Sequence, residues 1–299
     1  MQPQFRFQPI AFSWVALHPD PKGVIQFMGG AFFGSFPTLF YRYFLRQIYE
    51  AGYTIVALPF RFTFRHWSVA IALLEEQRVL RSALIDIAKR SGYAYEVYER
   101  SESYSWIGHS VGCKYIALLE LLSDNSWQEN TIACFESGRA KQTLQQINES
   151  PVDGGICGQR SLLMAPDISD TDSAIPKPIA RIVDALGLGV QPNRRQTLCL
   201  IEQSHLFNLT AMISFHQDSI AGNIQAQDET KSDVVWLVRH LSDRDLPFVE
   251  LPGKHLEPIG IRIGNSIVDL NPLDKFIVPL SRRKLESTVL MLLEKLKQR

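Results

Sequence analysis

The sequence predicts an α/β fold in which a mostly parallel sheet is flanked by helices, and three observations carry that prediction. Short apolar runs alternate with loops and amphipathic segments along most of the 299 residues, which is the βαβ rhythm of a parallel sheet. Hydrophobic residues make up 45% and charged residues 21%, enough apolar mass for one large core and too much for a disordered chain. No internal repeat and no low-complexity stretch interrupts the pattern. At roughly 150 residues per domain the length allows two domains, but one large α/β domain over residues 1–299 accommodates it as well.

In chain order, Phe12 to Leu17 reads as a strand that turns at Pro19-Asp20-Pro21. Val24 to Met28 is a second strand, ending in Gly29-Gly30. A helix is expected from Thr38 to Tyr49, stopped by Gly52, with Thr54 to Leu58 as the next strand before Pro59. Ser68 opens a long helix that carries Val69, Leu73, Leu80, Leu84 and Ile87 on one face and closes at Gly92. Ser105-Trp106-Ile107 is a short buried strand, and Lys114 to Leu122 is helical. A helix over 137–148 and a loop at Gly154-Gly155 precede the strand Leu162 to Ala165. Residues 168–204 lack strand pattern, carry prolines at 176, 178 and 192, and read as a helical cap inserted between two strands. Leu209 to Phe215 and Phe248 to Leu251 are the last strands, with a helix from Asp233 to Leu241 between them and a final helix from Lys284 to Leu296.

The sharpest chemical signal is Gly108-His109-Ser110-Val111-Gly112, a G-x-S-x-G between a strand and a helix, where a nucleophilic serine is lifted above the sheet edge. A glycine-flanked turn alone would explain the pentapeptide, so the partners decide. An activated serine needs a base, and the base needs an acid that holds its tautomer. Asp218 follows the strand 209–215 and His255 follows the strand 248–251, so serine, acid and histidine arrive in order at three strand ends. Asp228, Asp233 and Asp243 rival Asp218 but look helix-associated or solvated, and His216 is the alternative to His255. His18 lies beside a Pro-rich turn, His66 in an aromatic loop and His240 near a helix end. His109 directs its side chain away from the serine's partner and counts among the pocket residues. Two amides should face the oxyanion, Val111 and either Gly30 or Ala31. Phe32, Phe33, Ile179, Ile182 and Leu186 are the further expected pocket residues.

Lys+Arg 31 against Asp+Glu 31 leaves a formal net charge of +0, and the short basic pairs are scattered, which argues against nucleic acid as a partner. Cys113, Cys134, Cys157 and Cys199 show no metal-ligand spacing and are too few for a disulfide-stapled fold, so all four are expected as thiols, with Cys113 buried behind the serine. The N-terminal residues lack the layout of a signal peptide and no run reaches the ~20 apolar residues of a membrane span. The expectation is a soluble cytoplasmic protein, with peripheral membrane contact still compatible and oligomeric state open.

The layout resembles the α/β-hydrolase fold over nearly the whole chain. More narrowly, Gly23 to Phe32, Phe64-Arg65-His66-Trp67, Trp106 to Lys114 and Asp218-Ser219-Ile220 resemble domain-of-unknown-function family 1350 of cyanobacteria and chloroplasts. The resemblance implies a hydrolase-like fold and a photosynthetic source, and names no substrate. One departure from well-studied lipases and esterases is His216-Gln217, where many have a Gly-rich turn before the acid. The function expected is serine-dependent cleavage of an ester or thioester on a small-molecule or lipid acyl substrate, with no cofactor or metal. An acyltransferase and a non-catalytic scaffold on the same fold are the alternatives.

Overall fold

The computed structural model describes residues 3–148, 155–168, 170–171, 178–179, 186, 188–204, 209–226, 228–268 and 277–299. Gly154 and 14 of the 37 residues of the expected cap, Ile182 among them, lie outside these residues. Strands β1 (Gln8–Ile10), β2 (Ser13–Ala16), β3 (Val24–Met28), β4 (Thr54–Ala57), β5 (Tyr104–His109), β6 (Arg160–Met164), β7 (Thr210–Phe215) and β8 (Phe248–Leu251) form one sheet in the order β1-β2-β4-β3-β5-β6-β7-β8. β1 and β2 pair antiparallel, β2 runs antiparallel to β4, and every later pairing is parallel. Every residue of β3, β4, β5 and β7 is buried, as expected where helices cover both faces of a parallel sheet.

Helices among the described residues include α1 (Pro37–Phe40), α2 (Arg42–Glu50), α3 (His66–Ser91), α4 (Glu96–Glu99), α5 (Val111–Leu122), α6 (Trp127–Cys134), α7 (Ser137–Asn148), α8 (Arg194–Gln203), α9 (Asp233–His240) and α10 (Leu285–Lys297). α3, α5, α6 and α8 pack together on one face, while α2 and α10 pack with each other and against strands on the other. α3 ends where Gly92 takes a left-handed conformation after Lys89 and Arg90, so the cap and the macrodipole agree on the stop. Asn193 and Gln196 form a reciprocal capping box that starts α8.

Several expected boundaries move. Phe12 is 87% exposed in the turn between β1 and β2, after Ala11 at a positive φ, so β2 begins one residue later. The expected helix 38–49 is two helices meeting at Tyr41, α3 starts already at His66, and α5 starts at Val111 directly after the serine. A second, antiparallel sheet of β9 (Ile261–Ile263), β10 (Ser266–Val268) and β11 (Ile277–Pro279) was not anticipated. Its three-residue strands leave Ile261, Ile263 and Ile277 exposed, so no alternation of apolar and polar residues marks them.

The cysteines require a correction. Cys134 at the end of α6 and Cys199 in α8 form a disulfide, while Cys113 is a buried thiol and Cys157 an exposed one. The helical layer brings together two residues 65 apart in sequence, which spacing rules do not register. The expectation that all four cysteines are thiols therefore falls, while that of a buried Cys113 thiol holds. Among the described residues no helix is long and apolar enough to cross a membrane.

All twelve residues of α5 are buried, including Glu120, whose Oε1 accepts the Ser161 hydroxyl at 3.1 Å. Burial pushes its carboxyl up to about 8, against a smaller opposing effect of that hydrogen bond. The folded chain thus keeps a proton that the unfolded chain releases near the usual carboxylate value, and stability falls as pH rises from there towards 8. Glu120→Gln should remove this slope and melt at least about 2 °C above the wild type at pH 8. Thermal melts of both proteins between pH 5 and 8.5 check this, and parallel curves would refute it.

Candidate active site

The site is built at the carboxyl edge of the parallel strands. Ser110 lies between β5 and α5 at φ 56° and ψ −127°, a left-sided backbone conformation that a non-glycine residue adopts only when its surroundings impose it. Its amide donates to the Met164 carbonyl at 3.0 Å and its own carbonyl accepts from Cys113 at 2.9 Å. Gly112 makes this turn possible, because a Cβ there would collide with the backbone carbonyls of Met28 and Gly29. Behind the turn, burial pushes the Cys113 thiol well up, so it is a packed thiol and no thiolate.

Asp218 and His255 reach Ser110 from two neighbouring strand ends. The His216 amide donates to Leu251 and the Gln217 amide to Gly253, both at 2.9 Å, so the β7–β8 ladder continues past the strands. His216-Gln217 therefore does the positioning expected of a Gly-rich turn. Asp218 Oδ1 accepts the amides of Ile220 at 2.8 Å and Ala221 at 3.0 Å, which aims Oδ2 at His255 Nδ1, 2.8 Å away. His255 Nε2 lies 2.8 Å from Ser110 Oγ, and all three side chains are buried. A carboxylate can only accept, so Nδ1 of His255 carries the proton and Nε2 accepts from the serine hydroxyl.

The rivals lie elsewhere. His216 is half exposed, 3.3 Å from Glu250. Asp228 and Asp243 are exposed. Asp233 is buried but pairs with Arg194 at 2.6 Å and accepts the Ile168 amide; burial raises its carboxyl to about 6.

His109 departs from expectation. It is fully buried and offers no surface to a substrate, and its Nε2 lies 2.8 Å from the carbonyl of His255, the serine's own partner. Its Nδ1 meets the Tyr41 hydroxyl at 2.8 Å, and that hydroxyl also accepts the Gly30 amide at 2.8 Å. Gly30 abuts the serine, since a Cβ there would sit 3.1 Å from Ser110 Cβ. The amides of Ala31 and Val111 have no protein acceptor among the described residues. Of the expected pocket residues, Phe32 is 59% exposed and stacks on Phe62 at 4.5 Å, and Phe33 packs edge-on against Phe40. Ile179 and Leu186 are exposed, at 53% and 68%, and Ile182 lies outside the described residues.

Two residues were missed by sequence reasoning. Tyr41 sits in an ordinary aromatic stretch, Phe40-Tyr41-Arg42-Tyr43, and no spacing singles it out. Lys114 is fully buried in α5, where its Nζ donates to the Pro192 carbonyl at 2.7 Å; burial lowers its ammonium to about 7 against Asp170, Asp167 and Asp233. A lysine four residues after a G-x-S-x-G serine, in a helix whose other residues are apolar but for Glu120, was the available signal.

Sheet order, the antiparallel β2 and the strand–serine–helix turn together define an α/β-hydrolase fold, as the sequence suggested. Residues 6–295 match the family described as protein of unknown function DUF1350, and the chain belongs to that family. No curated protein matches the sequence. Similar solved structures include esterase B from Lactobacillus rhamnosis, at 11% identity over 78% of this chain and 66% of that one, with a TM-score of 0.44. The carboxylesterase Cest-2923 from Lactobacillus plantarum WCFS1 is 13% identical over 86% of both chains, with a TM-score of 0.45. An esterase from Pyrobaculum calidifontis is 12% identical over 82% of this chain and 74% of that one, with a TM-score of 0.39.

Proposed function

We propose that this protein is a serine hydrolase that cleaves an ester or thioester. The observation that carries the reading is the unbroken buried chain from Ser110 Oγ through His255 to Asp218, with both links at 2.8 Å. Ser110 Oγ attacks the acyl carbon and passes its proton to His255 Nε2, while the carbonyl π electrons move onto oxygen. The tetrahedral intermediate then expels the alcohol or thiol, which takes the proton from Nε2. Water repeats the sequence on the acyl-serine, with His255 again as base, and the acid leaves as Ser110 regains its proton. Asp218 keeps His255 in the required tautomer and balances the imidazolium. The Val111 amide, at the N-terminus of α5, and an amide of the loop after β3 stabilise the oxyanion.

Of the expected cap 168–204, residues 194–203 form α8 and pack on α5 and α6 in the helical layer, and the stretch before them acts as the cap on this site. Supporting that placement, the Gln191 amide donates to Phe64 at 2.8 Å and its carbonyl accepts from His66 at 2.9 Å, at the same carboxyl edge of the sheet. The exposed aromatic rings of Phe32, Phe36 and Phe62, next to the oxyanion loop, favour an apolar acyl group.

A fluorophosphonate probe reacts with a serine only when a base activates it. Incubation at neutral pH should give one adduct per chain, and peptide mapping should place it on Ser110. A chain that stays unlabelled, or one modified elsewhere, would overturn the reading.

A further inference from the structure

We infer that Tyr41 and His109 form a buried bridge that positions the loop after β3 against the loop carrying His255, and that this bridge leaves Ala31 rather than Gly30 as the second oxyanion donor. The inference rests on the serine-hydrolase reading for its catalytic consequence, but the bridge itself stands on geometry.

Four groups are joined in series, each at 2.8 Å. The Gly30 amide donates to Tyr41 Oη, Tyr41 Oη meets His109 Nδ1, and His109 Nε2 meets the carbonyl of His255. The direction of every proton follows from the two ends. A carbonyl can only accept, so the His109 proton is on Nε2. Nδ1 is then an acceptor, and the Tyr41 hydroxyl must donate to it. An amide can only donate, so the same hydroxyl oxygen accepts from Gly30. Tyr41 and His109 are both completely buried, and no other assignment leaves the chain satisfied.

Burial holds the chain in this state. It lowers His109 to about 3, helped by the neighbouring His255 ring, and raises the Tyr41 phenol well above its ordinary value. Neither group ionises at physiological pH, so the bridge is a fixed hydrogen-bond strut. Its ends matter because they belong to opposite sides of the serine. One end is the amide of Gly30, whose Cα sits against Ser110. The other is the backbone of His255, whose ring faces Ser110 Oγ.

The bridge also settles which amide faces the oxyanion. A backbone amide has one proton, and that of Gly30 is committed to Tyr41. The next amide, Ala31, donates to no protein group among the described residues, and neither does Val111.

The test combines kinetics with a measurement that needs no turnover. Tyr41→Phe keeps the ring and removes the hydroxyl, so kcat should fall by about 10- to 100-fold with KM within about twofold, because a misplaced base costs rate and not binding. His109→Phe should give a similar loss. His109→Gln, whose amide reaches the His255 carbonyl, should recover most of it, and the Tyr41→Phe/His109→Phe double variant should be no worse than the poorer single. Unchanged kcat in Tyr41→Phe, or full additivity in the double variant, would overturn the inference. In protein labelled with 15N-histidine, His109 should show a protonated Nε2 and a bare Nδ1 that do not titrate between pH 5 and 9. An Nδ1-protonated or titrating ring would end the bridge whatever the activity. A wild type inert to substrate and to fluorophosphonate would instead end the hydrolase reading, and the spectrum would still decide the bridge.

Discussion

Ester turnover by Ser110→Ala is expected to fall by on the order of 10⁶-fold, the loss seen when one member of a serine–histidine pair that acts as a unit is removed. The alanine leaves the fold undisturbed, because the turn depends on space at Gly112 and on backbone bonds to Met164 and Cys113, none of which uses the hydroxyl. His255→Ala should lose about as much, and the double variant little more. The measurement is kcat on a short-chain p-nitrophenyl ester, with circular dichroism spectra to show that both variants fold. A Ser110→Ala protein with more than a tenth of wild-type turnover would exclude Ser110 as the nucleophile.

Asp218→Asn should cost on the order of 10⁴ in kcat with KM nearly unchanged. The asparagine oxygen can keep the amides of Ile220 and Ala221 that now bind Oδ1, so the loop survives. The atom in place of Oδ2 is then an NH2 group aimed at His255 Nδ1 from 2.8 Å. A donor there forces the proton onto Nε2, and Nε2 can no longer accept from Ser110. The loss should therefore persist at high pH, where simple loss of a charge would be relieved. Near-wild-type activity in Asp218→Asn would transfer the acid's role to another carboxylate. Glu257, which follows His255 by two residues, is the next to test.

The candidate site was legible because its parts are local. Each reacting side chain follows an apolar run by a few residues, and a parallel sheet delivers the ends of its strands to one edge whatever the loops contain. Order along the chain was then enough to select Asp218 and His255 from seven histidines and many carboxylates. The long, strongly periodic elements were legible for the same reason, since the face of α3 is written in the spacing of Leu73, Leu80 and Leu84. The small sheet of β9 to β11 was not, because three-residue strands carry too few residues to show a period.

What the sequence by itself determined is the α/β architecture, the family, and the order in which serine, acid and histidine reach the carboxyl edge. All three depend on periodicity and on neighbours within a few positions. Only the tertiary structure decided the partners of groups that are far apart in the chain. It paired Cys134 with Cys199 across the helical layer, turned His109 from an expected pocket wall into a buried link to His255, and spent the Gly30 amide on Tyr41. The physical reason is common to these cases. A buried polar group must find a partner wherever packing puts one, and packing brings together residues whose separation along the chain carries no trace of the contact.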